Sequence, residues 1–326
     1  MSSLQDISEV IKGSVRVLIC GHIVPDGDSL GSVAALGLTL EGTGKKVVMA
    51  SPDPIPEALT FLPGADRFVV GCDNIHHEDY DTFVALDCSV PKRLGSFRKF
   101  LEKDLVIINI DHHVSSESFG HYNYLDPGAA ATGEIMTDLI DIMGMGINQD
   151  VATCLYVAMV TDTGSFQYEN TSSGTLKKAA RLMETGIQTS TINIRLHEEK
   201  PIQNIQIMRV ALENLEISPC GRVVWSVVER EMLDRFSAKD EHTDGLINFL
   251  RTIKGVEVAL LFREIDRGKY KVGFRSKGEV DVNQLASKFG GGGHIRASGC
   301  ILTGNLQKIT QSVVGEAIKE VSVRLP

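Results

Sequence analysis

The chain has 326 residues, 43% of them hydrophobic, a mean hydropathy of +0.01 and a formal net charge of −9, which is enough polypeptide for two domains with separate cores. No apolar stretch approaches the ~18 residues of a membrane span, and the start MSSLQDISEVIKG lacks a basic segment followed by an apolar core, so a cytoplasmic globular protein with no membrane partner is expected. Met1 to Gly186 carries 13 basic and 25 acidic residues, net −12, and Ile187 to Pro326 carries 20 and 17, net +3; the first balance suits cations, the second suits a small anion, and neither is the broad basic surface that long duplex nucleic acid demands.

Along the first part, strand-like runs (Val15 to Cys20, Val47 to Ala50, Phe83 to Leu86, Leu105 to Ile110) alternate with helix-like stretches (Ser29 to Leu40, Ala131 to Met143, Gln149 to Val160). That order predicts an α/β fold, a largely parallel sheet wrapped by helices, over residues 1–186. Residues 187–206, ending near TSTINIRLHEEKPIQ, lose strand character and read as a helical linker broken before Pro201. Residues 207–326 then read as a smaller α/β domain with a mixed sheet. The alternating runs Arg222 to Val228, Val256 to Arg263 and Tyr270 to Arg275 supply strands, and Leu306 to Val321 a closing helix.

Acids and histidines recur beside the apolar runs. GHIVPDGDS places His22, Asp26 and Asp28 after the first; Asp87 ends another; Asp111-His112-His113 closes Leu105 to Ile110; Asp162 follows Leu155 to Val160. Loops leaving the carboxyl ends of parallel strands converge on one crevice, so residues this far apart in sequence can meet there. Gly27 lets Asp26 and Asp28 splay toward two different ions. The four carboxylates Asp26, Asp28, Asp87 and Asp162 carry −4, which matches two divalent cations; with His22 and His112 they form an oxygen-rich donor set suited to manganese or magnesium, with cobalt possible. Two such ions acidify a water and stabilise charge building on phosphate oxygens. His113, adjacent to a ligand but aimed elsewhere, is assigned to phosphate binding or to protonating the leaving group; Asp111 is assigned to fixing a histidine ring. Taken singly, each Asp is a helix cap or turn residue. Six scattered cysteines without a CxxC pair argue against thiolate zinc and against a disulfide framework, and Cys88 lacks a base that would make it a nucleophile. His76-His77, in the polar segment CDNIHHEDYD, reads as a solvated loop, and His121, His197 and His242 as surface residues.

In the second part FGGGGHIRASG sets His294 after Gly290 to Gly293, and FRS sets Arg275 and Ser276 at a strand end. Backbone amides of Gly291, Gly292 and Gly293 can approach a phosphate without a Cβ in the way, and Arg275 offers it a bidentate fork. The bland alternative is a mobile turn.

Together GHIVPDGDSLGS, ALDCS, IDHH, TDTGSF and DVNQLASKFGGGGHIRASG resemble the DHH phosphoesterase superfamily followed by its DHH-associated domain, over nearly the whole chain. Length and spacing are most similar to the branch of bifunctional oligoribonucleases and 3′-phosphoadenosine 5′-phosphate phosphatases. The resemblance implies one manganese ion on His22, Asp26 and Asp87 and a second on Asp28, Asp87, His112 and Asp162. It further implies that Arg275, Ser276, His294 and the glycines hold the nucleotide or phosphate across an interdomain cleft, that the partners are short oligoribonucleotides or small phosphorylated nucleotides, and that the enzyme is a homodimer. Gln167 stands where relatives commonly have Arg, and Ser116 where they have Asn, which bears on substrate preference and leaves the metal ligands intact. Competing readings are a cyclic dinucleotide phosphodiesterase, a manganese pyrophosphatase with a different second domain, a processive exonuclease needing further domains, and a non-catalytic nucleotide sensor.

Overall fold

In the computed structural model, which describes residues 1–325, the apolar runs of the first part become one parallel sheet. Its strands are β1 (Arg16–Cys20), β2 (Lys46–Ser51), β3 (Val69–Val70), β4 (Thr82–Leu86), β5 (Val106–Asp111) and β6 (Tyr122–Leu125), in the order β3-β2-β1-β4-β5-β6 with every pair parallel. Alternation sorts the side chains. Val17, Ile19, Val84, Leu86, Ile108 and Ile110 face one layer, and Leu18, Cys20, Phe83, Ala85 and Ile107 face the other. With both faces covered, these strands read as continuous hydrophobic runs, as buried parallel strands do.

The first layer is helical: α1 (Leu4–Gly13), α2 (Gly27–Glu41), α3 (Thr132–Ile142), α4 (Gln149–Asp162), α5 (Ser173–Met183) and α6 (Thr189–Asn193). The second face is covered differently. A run of 3-10 turns, Pro91–Glu102, lays Leu94, Phe97 and Phe100 against Phe83, with the Phe97 and Phe100 rings stacked at 5.7 Å. Helices thus wrap one face, and tight turns close the other.

Small residues let α2 lie directly on α4. A Cβ at Gly31 would stand 2.5 Å from Cys154 O, and one at Gly27 would stand 2.5 Å from Thr161 Cγ2. The start of α2 therefore rests against the end of α4, which carries Asp162 beside Asp28. Asp162, which follows the helix-like stretch Gln149 to Val160, is the last residue of α4 and so reaches the strand ends from a helix.

The chain divides into two compact units, Met1–Glu199 and Lys200–Pro326, and the division falls inside the 187–206 stretch read as a linker. That stretch holds α6, a π-helical turn Ile194–Glu198 and the start of α7 (Ile202–Glu213). The second unit adds α8 (Arg230–Arg235), α9 (Leu246–Arg251), α10 (Val282–Ser287) and α11 (Leu306–Arg324) to the strands β7 (Glu216–Ile217), β8 (Val223–Val228), β9 (Val258–Asp266), β10 (Lys269–Ser276), β11 (Gly292–His294) and β12 (Ala297–Thr303). The sheet order is β11-β12-β10-β9-β8-β7, antiparallel except for the parallel β8/β9 pair, hence mixed. Val272, Phe274 and Cys300 of this sheet pack on Val282 and Leu285 of α10 and on Val313 and Ala317 of α11.

Candidate metal centre at the strand switch point

Strand order reverses between β1 and β4, because β2 and β3 extend from one side of β1 while β4, β5 and β6 extend from the other. Open α/β sheets place their ligand crevice at such a point, outside the carboxyl ends of the strands. His22, Asp26 and Asp28 follow β1, Asp87 follows β4, and Asp111 ends β5 with His112 and His113 after it.

Each carboxylate is set by backbone groups. Asp26 Oδ1 caps α2, accepting from Asp28 N (3.1 Å) and Ser29 N (3.0 Å), while its Oδ2 faces His22. One oxygen of the side chain thus caps the helix while the other faces the pocket. Asp28 accepts from Thr132 N (2.7 Å), Gly133 N (2.8 Å) and Ser32 Oγ (3.1 Å). α3 has no side-chain cap of its own, so Asp28 takes the amides that its first turn leaves open and meets the positive end of its dipole. Asp87 sits at φ 57°, a left-handed conformation that Asp tolerates better than most residues, and accepts from Thr132 Oγ1 at 3.1 Å.

The two imidazoles are fixed alike. His22 Nδ1 lies 2.7 Å from Ile23 O and His112 Nδ1 lies 3.2 Å from Ala129 O. A carbonyl only accepts, so Nδ1 of each ring carries a proton and Nε2 is turned inward, where it can bind a cation once it gives up a proton of its own. His22 Nε2 is 3.2 Å from Asp87 Oδ2 and 3.6 Å from Asp26 Oδ2, yet lacks the alignment of a hydrogen bond and is a buried polar atom without a hydrogen-bond partner. His112 Nε2 is 3.2 Å from Asp162 Oδ2, 3.6 Å from Asp87 Oδ1 and 3.7 Å from Asp28 Oδ2. Once deprotonated, these nitrogens face carboxylate oxygens at a range that repels unless positive charge lies between them. The donor atoms gather as His22, Asp26 and Asp87, as Asp28, His112 and Asp162, and as Asp87, His112 and His113, each set within 4.8 Å. Oxygen and imidazole donors in these sets fit divalent cations, and Asp87 belongs to two of them.

Electrostatics record the crowding. Burial opposes charge on His22, but Asp26 and Asp87 outweigh it and raise the imidazole to about 10; His112 is raised against burial by Asp28 and Asp87. Burial, then repulsion from Asp87 and Asp162, pushes Asp28 well above the carboxylate range, and burial with Asp26 and Asp87 does the same to Asp162. Asp87 is lowered, because His22 and the other imidazoles overcome its burial. Asp26 keeps 54% of its side-chain surface open, yet burial is still the largest influence on it; contact with His22 wins and lowers it.

Asp111 is fully buried and accepts from Ser116 Oγ, while its Oδ1 lies 2.8 Å from His113 Nδ1. His113 Nε2 lies 3.3 Å from Arg93 Nη1. Guanidinium only donates, so this nitrogen accepts and the ring proton points at Asp111.

Residues 16–159 match the DHH family, N-terminal domain, and residues 222–321 match the DHHA1 domain. The bifunctional oligoribonuclease and PAP phosphatase NrnA of Thermus thermophilus is 31% identical over 96% of this chain and 93% of its own length. The chain belongs to the DHH family. It is a hydrolase, a phosphoesterase. The protein of the same description from Bacillus subtilis is 28% identical over 87% of this chain and 88% of its own. An exopolyphosphatase-related protein from Bacteroides fragilis superposes with a TM-score of 0.91 at 25% identity, covering 98% of this chain and 96% of that one.

In the DHHA1 part of this phosphoesterase, Arg275 pairs with Ala297 and Ala297 with His294, so one cross-strand row spans β10, β12 and β11 and sets Arg275 and His294 at the same end of the sheet. Gly292 and Gly293 belong to the edge strand β11, with Gly291 just before it. Ser276 is not brought to this row; it alternates to the opposite face, where its Oγ is buried without a hydrogen-bond partner. His242 is buried rather than superficial, its Nδ1 accepting from Lys239 N at 2.9 Å. His121 and His197 are exposed. Five cysteines are buried and Cys220 is exposed, none in a disulfide. Sequence reasoning missed Arg93 and the part of Thr132 in holding Asp87 and, through its amide, Asp28. Neither residue stands in an acid or histidine cluster, and only the packing brings them in.

Proposed function

We propose that this DHH phosphoesterase uses two divalent ions, manganese in the first place, to hydrolyse very short oligoribonucleotides to mononucleotides and to remove a phosphate from 3′-phosphoadenosine 5′-phosphate. His22, Asp26 and Asp87 hold one ion, and Asp28, Asp87, His112 and Asp162 hold the other. When bound, the ions supply an acidified water and positive charge for the phosphoryl oxygens. The protein's part is preorganisation: the carbonyls of Ile23 and Ala129 aim the two rings, and the first amides of α3 hold Asp28. With Nε2 accepting from Arg93 and the Nδ1 proton aimed at Asp111, His113 has no proton turned toward a phosphate or a leaving group, which favours a positioning role for it. Arg275 and His294, with Gly291 to Gly293, hold the nucleotide or its phosphate from the DHHA1 part, while Ser276, buried on the opposite face of the sheet, is left out of that role.

The observation that carries this reading is the convergence of two inward imidazole nitrogens and four carboxylates at the switch point. The substrate class rests on the oligoribonuclease and PAP phosphatase relatives, which match nearly the full chain. A manganese-supplemented panel of dinucleotides, five-mers, 3′-phosphoadenosine 5′-phosphate, cyclic diadenylate and pyrophosphate tests it by chromatography. Dinucleotides and 3′-phosphoadenosine 5′-phosphate are the expected substrates. A strong preference for cyclic diadenylate over the linear dinucleotide, or turnover of pyrophosphate alone, replaces the reading.

A further inference from the structure

The 3-10 run Pro91–Glu102 does more than cover the sheet. Arg93, in its first turn, is anchored by backbone: its N–H donates to Val90 O at 2.9 Å, and its carbonyl accepts from Ile23 N at 2.7 Å, next to the metal-facing His22. Two residues on, Gly95 takes φ 54°, and a Cβ there would stand 2.6 Å from Ile23 Cγ2. The segment is therefore pressed onto the loop that carries His22, and the origin of the Arg93 side chain is fixed relative to the pocket.

From that origin Nη1 reaches His113 Nε2 at 3.3 Å, and His113 Nδ1 lies 2.8 Å from Asp111 Oδ1 and 3.6 Å from Asp87 Oδ1. Asp111 is held in turn by Ser116 Oγ, whose single proton is shared between that carboxylate and His113 O at 2.8 Å. A buried carboxylate thus orients an imidazole, and the imidazole orients a guanidinium. Among the described residues Arg93 has no carboxylate within ion-pair distance, and one of its five N–H donors is spent on a neutral acceptor. A half-buried cation aimed this way beside a pocket of phosphoester chemistry keeps a fork of donors for an anion, and the fork matches two phosphate oxygens.

We propose that Arg93 is a substrate-binding residue, its guanidinium taking a non-bridging phosphoryl oxygen of the bound phosphoester while Asp111 and His113 position it. The inference rests on the phosphoester hydrolase reading of the pocket and not on the choice of nucleotide.

The test compares parent, Arg93→Ala and Arg93→Lys, each loaded with manganese. Titration calorimetry with inorganic phosphate reads binding, linear diadenylate turnover reads kcat and KM, and a manganese titration reads the metal centre. For Arg93→Ala, phosphate affinity and kcat/KM are each expected to fall about 10- to 100-fold, the loss of a charge-assisted hydrogen-bond pair, with manganese stoichiometry unchanged. Free guanidinium is expected to restore turnover, and Arg93→Lys to fall between. Phosphate affinity within about threefold of the parent would reduce Arg93 to a tether for the segment, as would loss of manganese stoichiometry without rescue by guanidinium. A parent that binds phosphate but leaves diadenylate intact would refute the proposed nucleotide substrate, and the phosphate titration would still decide Arg93.

Discussion

Asp28, Asp87 and Asp111 of the first unit are at most 2% exposed, and each is gripped by amide, hydroxyl or imidazole donors; in the second unit, Arg275 is half-buried and His294 lies exposed on an edge strand. On the proposed function the two regions solve different problems. Holding small ions needs donors fixed to within tenths of an ångström, and burial in a close-packed layer provides that at the cost of mutual repulsion. Holding a flexible phosphorylated ligand needs access, which a sheet edge with few side chains provides. The difference predicts that damage to the first region stops chemistry while damage to the second weakens binding.

The largest expected effect is Asp87→Ala, which removes the carboxylate shared by two donor sets. Hydrolysis of a dinucleotide should fall by at least about 10³-fold, with manganese binding lost by calorimetry; retained turnover would break the comparison at its first term. Arg275→Ala should raise KM about 10-fold or more and leave kcat within a few-fold, since it removes a ligand contact and no metal ligand. An equal fall in kcat would place Arg275 in the chemistry and erase the contrast.

Smaller effects sharpen the packing side of the argument. Gly31→Ala drives a methyl to within 2.5 Å of Cys154 O and should cost about 1–3 kcal/mol of unfolding free energy through overpacking between α2 and α4. A lower melting temperature checks it, and metal affinity should fall too, because Asp28 and Asp162 ride on those helices.

The subtlest prediction concerns pH. In metal-free protein His22 is raised to about 10, so the stability it confers is complete below its unfolded value near 6.5 and is lost as pH rises toward 10. Asp28 and Asp162 are raised as well; their ionisation costs stability in the same upward direction. Metal-free melting temperature should therefore decline from about pH 6.5 upward, manganese should flatten the decline, and calorimetry in buffers of different ionisation enthalpy should show protons released on binding. A melting temperature that rises over this range would contradict the charge arrangement described for the pocket.

How much of this was legible beforehand varies with the kind of signal. β1, β4 and β5 stood out because short continuous apolar runs bounded by polar segments fit buried parallel strands. β11 and β12 were hidden in GGGHIRASGC, since glycine carries no pattern of alternation. The Pro91–Glu102 turns escaped for another reason: a 3-10 run with a left-handed Gly95 in its middle has no 3.6-residue period to detect.

By its own composition and order, the sequence determined that this is an α/β protein with acids and histidines beside its apolar runs, and with a different, glycine-rich second part. Which oxygen of Asp26 caps a helix and which faces His22 was decided only by tertiary structure, as was the grip of α3's amides on Asp28 and the reach of Arg93 to His113. Residue type states what a side chain can donate or accept. Direction and neighbour arise when distant segments pack, and chemistry at this site depends on direction.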